Sequence, residues 1–383
     1  MSRAAEEPAA VRLLAGPAQR ASGLRDRLLT SPRFRRWAAA FPLTRPIARR
    51  RARDLFHLCA GFVYAQVLYA CVQLDLFAVL AEGPQSTPAL ALRLSLSVEA
   101  TERLLAAAVA LRLAARRGER FGLGPLGAPM VDNPGIAAMV RHHALLYADL
   151  RDPVALLRGD GAATTLGHYW AYAGADRPAE LGAGQVASYT ALMAASQPLI
   201  AVEVLRAYRL GRHRRLLDVG GGDGSFAVAA AASAPRLDCV LFDLPKVAER
   251  AAARFAAAGI AGRAVALGGD FLVDPLPTGA DVATLVRVIH DHDDRAALAI
   301  LRAVHRALPP GGTLLLAEPM AGTPGAEPVG DAYFGFYLLA MGSGRPRTPA
   351  VLAALLTQAG FEHPRVIPTD MTLLTRLMVA VRP

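Results

Sequence analysis

The chain has 383 residues, 53% hydrophobic and 19% charged, so it can bury a sizeable core, is not disordered as a whole, and has room for two domains at about 150 residues each. Its three cysteines, Cys59, Cys71 and Cys239, are too scattered for a disulfide framework and form no Cys-x-x-Cys pair, which fits a reducing compartment without structural zinc. The net charge of +10 lies wholly in residues 1–53, where thirteen arginines face only Glu6, Glu7 and Asp26, while the rest of the chain balances.

No uninterrupted apolar run reaches about 18 residues, so a spanning helix is not expected, and the N-terminus lacks the apolar core of a signal peptide. Lys246 is the sole lysine, a bias that points to genomic base composition before function.

Residues 1–53 read as a basic tail. Pro8, Pro17, Pro32, Pro42 and Pro46 keep its helices short. Ser31 as a cap, Pro32 at the first helical position and Pro42 as a stop predict one helical stretch. On it Phe34, Trp37 and Phe41 recur at helical spacing among Arg33, Arg35 and Arg36, and the run Arg49–Arg51 follows. Basic residues with interleaved aromatics suit an anionic membrane surface; a flexible, solvated tail is the plainer alternative.

Residues 54–210 read as mostly helical. Phe62, Val63, Val67, Ala70 and Leu74 predict an amphipathic helix that continues through Leu76–Leu80 to a break at Gly83-Pro84. Helical patterns over Thr87–Leu94 and Ser97–Leu111 follow, then a strand-turn-strand through Ala114, Gly118 and Arg120–Leu123. This is a winged-helix order, whose commonest use is DNA reading. The reading helix, however, carries Arg103 and Arg112 against Glu99 and Glu102 on a Leu- and Ala-rich segment. That is a packing surface, and no nucleic-acid partner is expected. Further on, the helix Ala187–Tyr208 and the segment Tyr333–Met341 are apolar enough to line a pocket. Tyr189, Met193, Phe334 and Tyr337 are the candidates there, with plain domain packing as the alternative.

Residues 211–383 alternate strands and helices, which predicts an α/β doubly wound, Rossmann-like sheet with ligands at the carboxyl ends of its strands. Strands are expected at Leu216–Val219, Cys239–Asp243, within Ala264–Phe271, over Val282–His290 and Thr313–Glu318, with two more in Val366–Arg382. Helices are expected at Ser225–Ala234 and Asp293–Leu308. The turn after the first strand reads Asp218-Val219-Gly220-Gly221-Gly222-Asp223-Gly224-Ser225. A dinucleotide fingerprint would need glycine where Ser225 stands. The pattern is instead acid-x-Gly-x-Gly-x-Gly, which lets backbone approach a ligand closely without building an anion hole. S-adenosylmethionine, which has no phosphate, suits it. Asp243 ends the next strand 21 residues after Gly222, where a carboxylate accepts the ribose hydroxyls of an adenosine. Asp270 and Phe271 at the third strand end offer an acceptor and an apolar face for adenine.

The fourth strand ends in Arg287-Val288-Ile289-His290-Asp291 and the fifth in Glu318. A histidine held by a carboxylate is a general-base arrangement able to take a hydroxyl proton. Asp293 and Asp294 read as caps of the helix that follows. A metal held by His290 and His292 is the alternative, and none is expected.

The ordered runs LLDVGGGDG, FDLP, GGDF, VIHDHDD and LLLAEP, with the winged-helix segment before them, resemble the plant-type small-molecule O-methyltransferases over about residues 54–383. The resemblance implies a dimerisation domain over residues 54–210 and an S-adenosylmethionine-dependent methyltransferase domain over residues 211–383. It implies a homodimer. It places Asp218, Gly220, Gly222, Asp243, Leu244, Asp270, Phe271 and Arg287 at the cofactor, His290 as base and Glu318 as its partner, with Asp291 beside them. The chain departs from the pattern twice: His292 stands where tryptophan is frequent, and Val351 where many members carry a glutamate. The segments TSPRFRRWAAAFPLTRPIARRRARDLF, HHALLYADLRDPVALLRG and HYWAYAG are similar to the carotenoid hydroxyl O-methyltransferases of purple phototrophic bacteria. That resemblance implies a tertiary hydroxyl of an acyclic carotenoid as substrate and a cytoplasmic enzyme peripheral to the photosynthetic membrane. The same fold acting on a phenolic or polyketide substrate, and a winged-helix regulator without activity, are the other two readings.

Overall fold

The computed structural model describes residues 25–160, 163–173, 175, 177–373 and 375–383; the first 24 residues of the basic tail, with Glu6, Glu7, Pro8 and Pro17, lie outside the described residues. Helix α1 (Pro32–Ala40) is capped by Ser31, whose Oγ accepts the Phe34 N–H, and it ends at Phe41 before Pro42. The next helix, α2 (Arg45–Gln73), has 29 residues and corrects the expectation of short helices. Pro46 lies at its start, where the missing N–H has no partner to lose. By length and composition α2 is also able to cross a membrane. A criterion of uninterrupted apolar residues passes over it because His57 and Gln66 break the run. It crosses the charge boundary at 53/54 without a break, and only Cys71 and Val72 near its end are buried.

The helix does not continue through Leu76–Leu80 as expected. Asp75 adopts a left-handed conformation (φ 50°), and α3 (Leu76–Ala81) starts on a new axis. Then come β1 (Gln85–Ser86), α4 (Thr87–Leu94), α5 (Val98–Ala110), β2 (Ala114–Arg117) and β3 (Arg120–Leu123). The strands pair antiparallel in the order β1-β3-β2, which is the wing. Leu76, Leu80, Leu90 and Leu105 fill the core beneath it. Helices α6 (Pro134–Asp149), α7 (Pro153–Arg158), α8 (Thr165–Tyr169) and α9 (Ala183–Ala207) lead to the sheet.

The sheet uses β4 (Arg215–Val219), β5 (Asp238–Asp243), β6 (Ala264–Gly268), β7 (Val282–Val286), β8 (Thr313–Glu318), β9 (Glu362–Ile367) and β10 (Arg376–Val381). Its order is β6-β5-β4-β7-β8-β10-β9, parallel except for β10, which runs antiparallel to both neighbours. Strand order reverses at β4, between β5 and β7, and a crevice opens at their carboxyl ends. Helices α10 (Ser225–Ser233), α11 (Pro245–Ala257), α12 (Asp294–Ala307), α13 (Phe334–Met341) and α14 (Pro349–Gln358) complete the domain. Near-continuous apolar runs such as Leu314–Ala317 are buried on both faces, as a covered parallel sheet requires.

Two strands stop short of expectation. β6 ends at Gly268, so Asp270 and Phe271 sit in the loop beyond it. β7 ends at Val286, and His290 stands on a one-turn 3-10 helix, Ile289–Asp291. The cause lies on the neighbouring strand: Arg287 turns left-handed (φ 60°), and the next two N–H groups, of Val288 and Ile289, donate to Glu318 Oε1 at the end of β8 instead of to a strand.

Candidate active site

A cleft of about 530 Å³ lies at the reversal point, between the carboxyl ends of β4, β5 and β7 and the inner face of α9. That size suits a small ligand. One wall is the glycine turn. Gly220, Gly222 and Gly224 all have positive φ (67°, 61° and 82°), a conformation that side chains resist. A Cβ on Gly222 would meet nothing within 4 Å, so the backbone itself presents open space there. Asp218 supports this turn from below rather than lining the cleft. Its Oδ1 accepts the Thr284 hydroxyl at 2.7 Å, and burial raises its carboxyl to about 7.

Asp243 lines the cleft at the end of β5. Its Oδ2 accepts the Gly222 N–H at 2.8 Å and its Oδ1 the Leu244 N–H at 2.7 Å. Burial pushes its carboxyl up to about 6 against those two hydrogen bonds. Leu244, Asp270, Phe271 and Arg287 line the same cleft. Arg287 is braced by Ser196 Oγ, at 2.8 Å, and by Met193 Sδ, at 3.0 Å, both on α9. The hydroxyls of Tyr189 and Thr190 are buried without a hydrogen-bond partner among the described residues, and both residues line the cleft. A carboxylate with acceptor positions to spare, open glycine backbone and unpartnered hydroxyls fit a neutral, hydroxyl-rich nucleoside.

At the far end stands a line of three charged groups. Glu318 Oε2 pairs with His290 Nδ1, and Asp291 Oδ1 lies 3.0 Å from His290 Nε2. Tyr172 donates its hydroxyl to Asp291 Oδ2 at 2.7 Å. Burial alone would push the imidazole down, but Asp291 and Glu318, one on each nitrogen, outweigh it and raise it to about 10. Burial likewise works against the charge of Asp291, yet His290 and Tyr172 hold its carboxyl below the usual range. The turn carrying the pair is fixed from outside. Buried Arg347 donates to the carbonyls of Ile289 (2.8 Å) and His292 (2.7 Å), and Ser343 Oγ donates to that of Asp291 (2.8 Å).

The sequence candidates divide accordingly. His290, Glu318 and Asp291 come together, and Tyr189 and Met193 line the cleft. Phe334 and Tyr337 do not line it. The Phe334 ring sits edge-on to His290, 5.7 Å between centroids. Tyr337 is buried as an anchor of the helical layer: its hydroxyl accepts from Trp170 Nε1 (2.8 Å) and meets His142 Nε2 (2.7 Å). Burial pushes His142 down to about 4, so it is the neutral acceptor of that pair. Asp293 caps α12 as expected, through the Ala296 N–H. Asp294 does not; it pairs with Arg345 and Arg347. Val351 is exposed on α14, away from the cleft. Tyr172, Ser196 and Thr190 carry no local pattern that marks them, although Tyr172 falls inside the segment HYWAYAG.

A sequence-family model of the O-methyltransferase domain matches residues 147–362, and one of the O-methyltransferase dimerisation domain matches residues 56–132. Demethylspheroidene O-methyltransferase of Cereibacter sphaeroides is 44% identical over 94% of this chain and 95% of its own length. Its namesake in Rhodobacter capsulatus is 41% identical over 88% of this chain and 83% of its own. Among solved structures, human N-acetylserotonin methyltransferase in complex with SAM superposes with a TM-score of 0.72 at 25% identity, covering 87% of this chain and 97% of that one. The chain therefore belongs to the O-methyltransferase family in which a dimerisation domain precedes the methyltransferase domain.

Proposed function

We propose that this protein is an S-adenosylmethionine-dependent O-methyltransferase acting on the tertiary hydroxyl of an acyclic carotenoid. The observation that carries the reading is its identity of 44% with a demethylspheroidene O-methyltransferase over nearly the whole of both chains. Asp243 would accept the ribose hydroxyls, Gly220 and Gly222 would admit the methionine end, Asp270 and Phe271 the adenine, and Arg287 would close the site from the side of α9. When bound, S-adenosylmethionine supplies an electrophilic sulfonium methyl group. The remaining work belongs to the chain. The site orients a hydroxyl, and the Glu318–His290–Asp291 line is where its proton goes.

A tertiary alcohol is far less acidic than a phenol, so no side chain here holds a free alkoxide in advance. Proton removal accompanies transfer, and positioning supplies much of the rate. A long polyene exceeds a cleft of about 530 Å³ and enters hydroxyl end first, its other end remaining outside. The apolar lining of Trp170, Pro178 and Met193 on the helical side favours that entry.

The assembly proposed is a homodimer of a cytoplasmic protein, with the basic tail resting on the inner membrane surface. The dimerisation-domain match supports the homodimer, and the arginines of residues 33–53 support the membrane contact. Purified enzyme supplied with labelled methyl donor is expected to methylate 1-hydroxy acyclic carotenoids in detergent, with little activity on caffeate-like or anthracycline-like phenols. Faster methylation of a soluble phenol than of any hydroxycarotenoid would sink the substrate.

A further inference from the structure

His290 stands on a single 3-10 turn, too short to satisfy its own backbone, and that turn takes its hydrogen-bond partners from two sides. From β8, Glu318 Oε1 accepts the Val288 and Ile289 N–H groups at 3.1 and 2.7 Å, and Oε2 pairs with His290 Nδ1. Nε2 is then the nitrogen left for a substrate hydroxyl. From the other side, the segment 342–347, which joins α13 to α14, gives a donor to each carbonyl from Ile289 to His292 in turn. Arg347 Nη1 donates to Ile289 (2.8 Å), the Arg345 N–H to His290 (2.9 Å), Ser343 Oγ to Asp291 (2.8 Å) and Arg347 Nη2 to His292 (2.7 Å). So close an approach requires glycine. Gly344 has φ 78°, and a Cβ on it would overlap the His290 carbonyl oxygen and stand 2.5 Å from the Asp291 carbonyl carbon.

Arg347 carries most of this grip. Its side chain is 2% exposed, and its planar fork spans the turn from the carbonyl before His290 to the one after Asp291. Its Nε donates to Oδ1 of Asp294, the first residue of α12, at 2.9 Å. Asp294 offsets the buried charge and pairs with Arg345 as well. One guanidinium thus sets the pitch of the turn and ties it to the helix that follows. Arg347 stands behind the turn, outside the lining of the cleft, whereas Gly342 and Ser343 of the same segment line it. The segment continues α13, which Thr164 and Trp170 bond to the helical layer through the Ala340 carbonyl and the Tyr337 hydroxyl. The wall that a substrate meets and the turn that carries the base therefore share one support.

We propose that Arg347 is a positioning residue for His290, its guanidinium holding the 3-10 turn where Nε2 meets the substrate hydroxyl. The proposal rests on the methyl-transfer reading above, with His290 as the group that takes the proton. Arg347 touches neither substrate nor cofactor, so its loss acts on the rate of the chemical step and spares binding.

Arg347→Lys keeps a cation beside Asp294 and loses the planar fork; Arg347→Ala loses both. Each is compared with the wild type on a 1-hydroxy acyclic carotenoid in detergent micelles. Calorimetry counts S-adenosylmethionine sites per chain, so turnover is read per folded site. A misplacement of about 1 Å at the reacting atoms can cost about 100-fold. Both variants are expected to lose kcat by about that factor, while the number of sites, cofactor affinity and KM for the acceptor stay within about threefold of wild type. A low, non-denaturing concentration of guanidinium chloride is expected to raise kcat of Arg347→Ala about tenfold, and sodium chloride at equal ionic strength to leave it unchanged. An arginine that served stability alone would lower the number of sites and leave kcat per site at the wild-type level. That result in either variant, or a loss of turnover that follows a loss of cofactor affinity, overturns the proposal. The substrate reading fails separately, by a wild type that methylates phenols and no hydroxycarotenoid, and the same variants compared on the phenol still decide the role of Arg347.

Discussion

The carboxylate of Asp243 accepts two backbone N–H groups and keeps further positions toward the cleft. Asp243→Ala should weaken S-adenosylmethionine binding by about 1.5–3 kcal/mol per charge-assisted bond lost, measured by calorimetry. Ribose hydroxyls donate to the ionised carboxyl, and burial has pushed this one up to about 6. The free enzyme therefore takes up a proton at Asp243 as pH falls through about 6, and cofactor affinity should fall with it, approaching tenfold per pH unit. An affinity unchanged between about pH 5 and 8 would place the ribose elsewhere. His290 acts differently. It stands between Asp291 and Glu318, so His290→Ala leaves those two carboxyl groups without the side chain that joins them. Turnover should fall by at least about 100-fold while cofactor affinity barely moves. Near-normal turnover in that variant would remove the whole line of three from the chemistry.

Among elements, the turn from β4 into α10 shows why part of the site is legible in sequence. Residue type and backbone conformation are tied there: Gly224 has φ 82°, and a Cβ on it would stand 2.6 Å from the Phe255 ring of α11. Gly224→Ala should cost about 2–4 kcal/mol in chemical denaturation, from the left-handed conformation and the overlap together. Gly184→Ala, in α9 with open space around it, should be neutral or stabilising. Equal midpoints for the two variants would contradict this account of the turn. Strand ends are legible to the extent that their causes are local. Asp243 falls where expected because Gly222 accompanies it in a fixed β-turn-α frame. β7 ends four residues before His290 because Glu318, 30 positions from Val288, takes the N–H groups that would extend it. No periodicity reports that. The same holds for Tyr337, whose apolar neighbours suit a pocket but whose hydroxyl is claimed by Trp170 across 167 positions. Tyr172 reaches Asp291 over 119 positions, so its role exists only in the folded chain.

At the scale of the whole molecule, α1 and the first half of α2 present two different surfaces. From Leu55 onward most exposed side chains are apolar: Leu55, Phe56, Leu58 and Phe62 are 63%, 64%, 80% and 73% exposed. The dimerisation-domain match begins at residue 56, so a second copy is the occupant that this face calls for. Before Leu55 the character changes to arginine with interleaved Phe34, Trp37 and Phe41, the last two stacked 5.0 Å apart and Trp37 51% exposed. Association of apolar faces depends little on ionic strength, whereas attraction of arginine to anionic lipid falls off within a Debye length of about 8 Å at physiological salt. The two surfaces are therefore separable. Deleting residues 1–46 removes nine of the thirteen tail arginines together with α1, and each basic residue near an anionic surface contributes about 1 kcal/mol. The shortened protein should keep its fold and its dimeric mass in light scattering. It should sediment less with phosphatidylserine-containing vesicles at low salt than the full chain does, and the full chain's own sedimentation should decline as salt is raised. Equal sedimentation before and after the deletion would refute membrane contact through the tail and leave α1 as a solvated helix. A deletion variant that turned monomeric would show that α1 belongs to the same interface as Leu58 and Phe62, because loss of an electrostatic contact with lipid cannot dissociate a dimer in the absence of vesicles.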